Sequence, residues 1–222
     1  MPALARDGEI AVLNIGADEN RFTIAWLESM HACLDEAEGL DSPVALVTVA
    51  EGKFWSNGLD LDWLMSHAEQ AERYVDLVQR LFSRMLILPM PTVAAIQGHC
   101  YAAGGLLALA HDWRVMREDR GFFCFPEVDI RLPFPPGMDA LVRAKLPVET
   151  AFEAMVTGRR YGGTEAAAAG IVTRAVPEDQ VLPAALELVR PLAAKAHPVM
   201  TAIKSTMYGE AVEKLSVVHR PS

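Results

Sequence analysis

Positive charge is in short supply in this chain of 222 residues, where 20 Lys and Arg face 29 Asp and Glu for a formal net charge of −9. That balance argues against a nucleic-acid or anionic-membrane partner, because both need a basic face, so a phosphate-bearing ligand has to be held locally. Cysteine is scarcer still. Cys33, Cys100 and Cys124 are odd in number, far apart and outside any C-x-x-C or Cys/His spacing, which predicts reduced, buried thiols in a cytoplasmic protein. No apolar run reaches the roughly 20 residues that span a bilayer. The opening "MPALARDGEIAVLNI" lacks an apolar leader with a cleavage site, and the ending "HRPS" reads as no sorting signal. Also missing are a G-x-S-x-G elbow, a P-loop, a G-x-G-x-x-G turn and an H-E-x-x-H pair, while the six His are scattered without ligand spacing. Metal and nucleotide-hydrolysis chemistry are set aside with them, and no metal is expected.

What is present is an apolar chain, 51% hydrophobic, long enough for one large α/β domain spanning 1–222. Strand and helix patterns alternate. "EIAVLNI" reads as a strand, and Thr23 caps a helix over "IAWLESMHACLDEAEG". "PVALVTVA" is β-branched and continuous, as expected of a buried parallel strand. "EGKFWSNGLD" reads as a loop, and helices follow over roughly Leu61 to His67 and Ala71 to Leu88. Pro89 and Pro91 then stop the chain before the strand "TVAAIQG". The Gly-rich stretch "GHCYAAGG" reads as a turn opening the helix "LLALAHD". Short strands "WRVM" and "FFCF" flank the charged turn "REDR". The rest is largely helical, with one strand at "IVTRAV" and a C-terminal helical segment over about 191–222.

Two strand-to-helix junctions, "SNGLD" and "HCYAAGGLL", place Gly where backbone can approach a ligand and free N–H groups favour developing negative charge. Each taken alone is compatible with an ordinary tight turn. A third stretch, "GFFCFPEVDIRLPFPPG", sets Glu127 in apolar company, where desolvation disfavours its charged form and raises its pKa.

Taken together, these stretches resemble the enoyl-CoA hydratase/isomerase, or crotonase, superfamily through nearly the whole chain. "FWSNGLDL" resembles its F-x-x-G-x-D element, and "PTVAAIQGHCYAAGGLLALAHDWRV" its long Gly-rich element ending in Asp. "FCFPEVDIRLPFPPG" resembles the segment bearing the catalytic Glu, in the form closest to the Δ3,Δ2-enoyl-CoA isomerase branch, and "MVTGRRYGGTEAAAAGIVTRAVP" the later stretch. The resemblance implies an α/β fold, a spiral of ββα units over about 1–190 with a C-terminal helical region. It also implies acyl-CoA thioester substrates with no separate cofactor, and a homotrimer or dimer of trimers. It further implies an oxyanion hole from the Leu59 and Ala103 N–H groups, and substrate contacts at Asn57, Gly58, Leu59, Asp60, Leu61, Ala103 and Leu106. Family hydratases carry two Glu. Here the first position matches Leu106 and only the second, Glu127, is acidic. Shifting a double bond needs one group that takes a proton and returns it elsewhere, so the pattern points to isomerisation of 3-enoyl-CoA to 2-enoyl-CoA in fatty acid β-oxidation. The alternatives are an enoyl-CoA hydratase and a catalytically weak acyl-CoA binding protein on the same fold.

Other residues in these stretches have plainer readings. Asp60 is expected to cap the next helix, and Asp129 to be a buried hydrogen-bonded or interface acid. His99 and Cys100 read as packing and turn residues, and Tyr101 with the neighbouring Phe residues as core or pocket wall. Arg21, Lys53 and Lys204 are candidate contacts for CoA phosphates, ranked below the plain reading of solvated side chains. Arg131 stands where the isomerase pattern has Gly. Turned inward it would lower the Glu127 pKa, and turned outward it would change nothing.

Overall fold

A computed structural model describes residues 1–40 and 44–217. The chain opens with β1 (Ala3–Asp7), β2 (Ile10–Asn14), β3 (Arg21–Phe22) and α1 (Ile24–Glu38). Next come β4 (Ala45–Val49), β5 (Phe54–Ser56), β6 (Gly58–Leu59), α2 (Leu61–Ser66) and α3 (Ala71–Leu86). The third stretch is β7 (Thr92–Ile96), β8 (His99–Tyr101), α4 (Ala103–Ala110), β9 (Trp113–Arg117) and β10 (Phe123–Cys124). Helices then dominate: α5 (Pro136–Lys145), α6 (Val148–Thr157), α7 (Gly163–Ala168), strand β11 (Arg174–Val176), α8 (Val181–Val189), α9 (Pro198–Met207) and α10 (Gly209–Leu215).

The large sheet runs β1-β2-β4-β7-β9-β11, antiparallel only at β1–β2. Parallel neighbours cannot be joined by a hairpin and need a crossover, and each crossover here makes a detour. After β4, β7 and β9 the chain adds β5, β8 and β10 to a second, three-stranded parallel sheet before turning into helix. Repetition of this strand, strand, helix unit produces the spiral. Burial explains the sequence pattern, since β4 and β7 are covered on both faces and therefore read as continuous apolar runs. On one face lies the main core with α1, α3, α4 and α5. On the other, Ala184, Ala185 and Val189 of α8 cover Ala45, Val47, Val93 and Val115.

Several local expectations hold. Thr23 caps α1 by accepting the Trp26 N–H at 3.1 Å, and all three cysteines are free and buried. Three differ. β1 was absent from the sequence reading because its side chains are mostly exposed and its pairing rests on β2. "EGKFWSNGLD" is not all loop, since it contains β5 and β6, which are too short to show a period of two. The Gly-rich stretch is not all turn either, because α4 begins at Ala103 and takes in Gly104 and Gly105. Gly105 is required by packing: a Cβ there would stand 2.9 Å from Phe125 Cε1. The C-terminal segment is helical to Leu215. The ending "HRPS", with residue 218 before it, and residue 43 of the expected strand lie outside the described residues.

Candidate active site

The three-stranded sheet brings the three singled-out stretches together, and a further two-stranded sheet pairs β6 in parallel with β3. β8 lies between β5 and β10, so the turn after β5, the turn after β8 and the segment after β10 meet at one edge. At Gly58 the backbone takes φ +77°, and a Cβ there would sit 2.7 Å from the Ala103 nitrogen. Only Gly permits both the conformation and the approach. After β8 the chain reverses at Ala102, which holds φ +50° without being Gly. Strain of this kind costs about 1–3 kcal/mol and gathers at functional sites. The reversal starts α4 at Ala103, whose N–H, as the first of a helix, has no acceptor within it.

The residues converge on a cavity of about 580 Å³, within the range of small-molecule sites. Asn57, Leu59, Leu61, Ala103, Leu106 and Glu127 all line it. Apart from Arg21, Tyr101 and Arg131, the remainder of the wall is apolar. Leu64 and Val75 come from α2 and α3, while Ile130, Leu132, Phe134 and Met138 come from the segment after Glu127. Phe134 stands edge-on to Phe125 at 5.6 Å, which anchors the run "LPFPPG".

Glu127 sits on a short 3-10 turn, Pro126–Val128, and is only 7% exposed. Among the described residues its Oε2 has no hydrogen-bond partner. Burial pushes its pKa from the ordinary 4.5 up to about 7, opposed only by its own backbone N–H. The acid therefore titrates where it can both take and return a proton at neutral pH. Leu106, 1% exposed, provides hydrocarbon where a second carboxylate would stand.

Other expectations sort themselves by geometry. Asp60 is a cap, accepting the Trp63 N–H at 3.2 Å at the start of α2, and it does not line this cavity. Gly58 is buried behind the wall and shapes the site through its backbone. Tyr101 lines the cavity. His99 does not, and its ring lies among Phe54, Tyr101 and Phe122. Cys100 is fully buried.

Asp129 is exposed rather than buried, because the 3-10 turn rotates it away from Glu127. Lys204 cannot meet a phosphate, since its ammonium is buried, pairs with Asp112 at 2.7 Å and donates to the Leu88 and Met90 carbonyls. Lys53 lies over the Phe54 ring, away from the cavity. Arg21 does line the cavity, paired with Glu19 at 2.5 Å. Arg131 is exposed at the cavity wall with φ +58°, and no cation contributes to the Glu127 pKa. It stands in the outward alternative. Val75, Ile130, Leu132 and Met138 were not singled out from sequence, and only the run of Pro after Arg131 hinted at a fixed wall.

A ββα spiral with two backbone turns and one buried acid facing an apolar cavity has the architecture of a crotonase-fold protein. The chain belongs to the enoyl-CoA hydratase/isomerase family, whose model matches residues 7–218. Among its relatives, Enoyl-CoA delta isomerase 2, peroxisomal, of Arabidopsis thaliana is 36% identical over 223 residues, covering 95% of this chain and 93% of that one. Enoyl-CoA delta isomerase 3 of the same plant is 37% identical over 221 residues with the same coverage. The apo structure of an enoyl-CoA isomerase of Mycobacterium tuberculosis superposes with a TM-score of 0.89 at 25% identity, covering 96% of this chain and 93% of that one.

Proposed function

We propose that the protein is a Δ3,Δ2-enoyl-CoA isomerase of fatty acid β-oxidation. In this reading Glu127 removes a proton from C2 of a 3-enoyl-CoA, the Leu59 and Ala103 N–H groups hold the dienolate oxygen, and Glu127 redelivers the proton at C4. The observation that carries it is the single acid: Glu127 is buried without a carboxylate partner, and Leu106 occupies the place of one. Backbone donors fixed before reaction stabilise charge as it develops without reorganising. An acid near pKa 7 surrounded by hydrocarbon suits proton relocation better than activation of water. The delta-isomerase names of the relatives support the same reaction.

The apolar walls from α2, α3 and the 130–138 segment receive the acyl chain, and Arg21 at the wall is the remaining basic candidate for a CoA phosphate. CoA enters as part of the substrate, and no separate cofactor is required. The protein works as a trimer or dimer of trimers. Val148, Phe152 and Val156, one face of α6 and 79%, 66% and 52% exposed, form with exposed Val128 of the neighbouring 3-10 turn an apolar surface suited to a second copy. Among the described residues no helix is long and apolar enough to cross a membrane. Three free buried thiols suit a reducing compartment such as the cytoplasm. Assaying 3-enoyl-CoA and 2-enoyl-CoA side by side tests the reading. Conjugation of the first with no hydration of the second is expected, whereas hydration alone would contradict it.

A further inference from the structure

Around Leu59, the N–H groups of its neighbours are already committed. Asn57 donates to the Glu19 carbonyl at 2.9 Å, Gly58 to the Ser56 hydroxyl at 3.0 Å, and Asp60 to the Tyr74 hydroxyl at 2.9 Å. Both hydroxyls come from fully buried side chains. Ser56 is itself fixed, because its Oγ donates to the Asn20 carbonyl at 2.9 Å. Asn20 in turn donates through Nδ2 to the Trp55 carbonyl at 3.0 Å. Tyr74 belongs to α3, with its ring against Trp63 at 5.5 Å, and Trp63 N–H is the group that Asp60 caps.

We propose that Ser56 and Tyr74 are positioning residues that lock the two peptide units flanking the Leu59 N–H and so aim that donor at the substrate oxygen. This rests on the isomerase reading for its chemistry. The N–H of Leu59 belongs to the peptide between Gly58 and Leu59. Ser56 holds the unit before it and Tyr74 the unit after it, so rotation about either side of that donor breaks a hydrogen bond, the first buried and the second partly so. Gly58, at φ +77°, is the residue of this turn with the widest backbone freedom, and the two hydroxyls add to the restraint that pairing of β6 with β3 already supplies. A donor contributes to catalysis when its direction is fixed in advance. The phenol of Tyr74 is pushed further above its ordinary pKa by burial, so it stays protonated and accepts the Asp60 N–H through a lone pair. Nothing in this arrangement touches Glu127, which comes from a different segment of the chain.

The test compares wild type, Tyr74→Phe and Ser56→Ala in three readouts. Turnover of a 3-enoyl-CoA followed across pH gives kcat, KM and the pH midpoint, a thermal midpoint gives folding, and the absorption of a bound conjugated dienoyl-CoA reports how strongly its thioester carbonyl is polarised. Since removing an oxyanion donor outright costs about 100- to 1000-fold, loosening one predicts roughly a 10-fold fall in kcat for each variant. KM should stay within about two-fold, the pH midpoint should be unchanged, and the red shift of the bound dienoyl-CoA should shrink. Ser56→Ala provides the answer should Tyr74→Phe fold poorly. Variants that keep both the wild-type kcat and the full red shift would overturn the proposal, as would a loss of kcat that only tracks unfolded protein. If wild type polarises the dienoyl-CoA without isomerising the 3-enoyl-CoA, the isomerase reading fails, while the variants' red shifts still decide the role of the two hydroxyls.

Discussion

Gly58 and Ala103 lie so close that a Cβ on Gly58 would stand 2.7 Å from the Ala103 nitrogen. The contact joins β6 to the start of α4 and explains why a 2-residue strand and an unremarkable Ala can together make a site. A Gly58→Ala substitution meets both a left-handed φ of +77° and this contact. We expect a stability loss of about 1–3 kcal/mol, measured by denaturant titration, and a fall in kcat of about 100-fold in the protein that remains folded.

Glu127 makes stability depend on pH in an unusual direction. Its folded pKa of about 7 lies above the ordinary 4.5, so the unfolded chain loses the proton first. Its contribution is fully present below pH 4.5, is lost as pH rises to about 7, and changes no further above that. Glu127→Gln removes the titration. The variant should be more stable than wild type at pH 8 by on the order of 3 kcal/mol, with the gap closing toward pH 4.5, as read by urea melts across that range.

The same titration should appear in catalysis. Because the carboxylate form is the base, kcat/KM is expected to rise with pH through a midpoint near 7. Arg131→Gly should leave that midpoint where it is, since no cation sets the Glu127 pKa. It should also gain about 1 kcal/mol by relieving the φ of +58°. A midpoint that climbs in the Arg131→Gly protein would show that the guanidinium does reach Glu127.

Much of this was readable in the residues. Thr23 and Asp60 act as the caps their positions suggest, because capping depends on neighbours three residues away. The site stretches were readable because backbone chemistry leaves glycines behind. Long-range pairing was not readable. Lys204 looked like a free cation, but its partner Asp112 is 92 residues distant, and nothing local to either announces the pair. Of the two readings of Asp129, the buried one fails because a 3-10 turn follows Phe125 and carries the side chain to the surface. The clamp at Leu59 was hidden for the same reason as Lys204, since Tyr74 reaches Asp60 from α3, beyond the helix that Asp60 caps.

Lys204 accordingly carries a stability prediction rather than a substrate one. Lys204→Met leaves the Asp112 carboxylate with only its Thr92 donors and takes the ammonium from two interior carbonyls. A loss of about 3–5 kcal/mol is expected, with KM for the CoA substrate unchanged in the folded fraction. A raised KM at unchanged thermal midpoint would return Lys204 to the list of phosphate contacts.

The central claim is that one acid both removes and returns the proton. It is tested most directly by following formation of the conjugated thioester from a saturating 3-enoyl-CoA with Glu127→Ala and Glu127→Gln. Both variants should fold and bind the thioester, and both should lose at least about 100-fold in kcat. Near-wild-type turnover by either one would contradict the account.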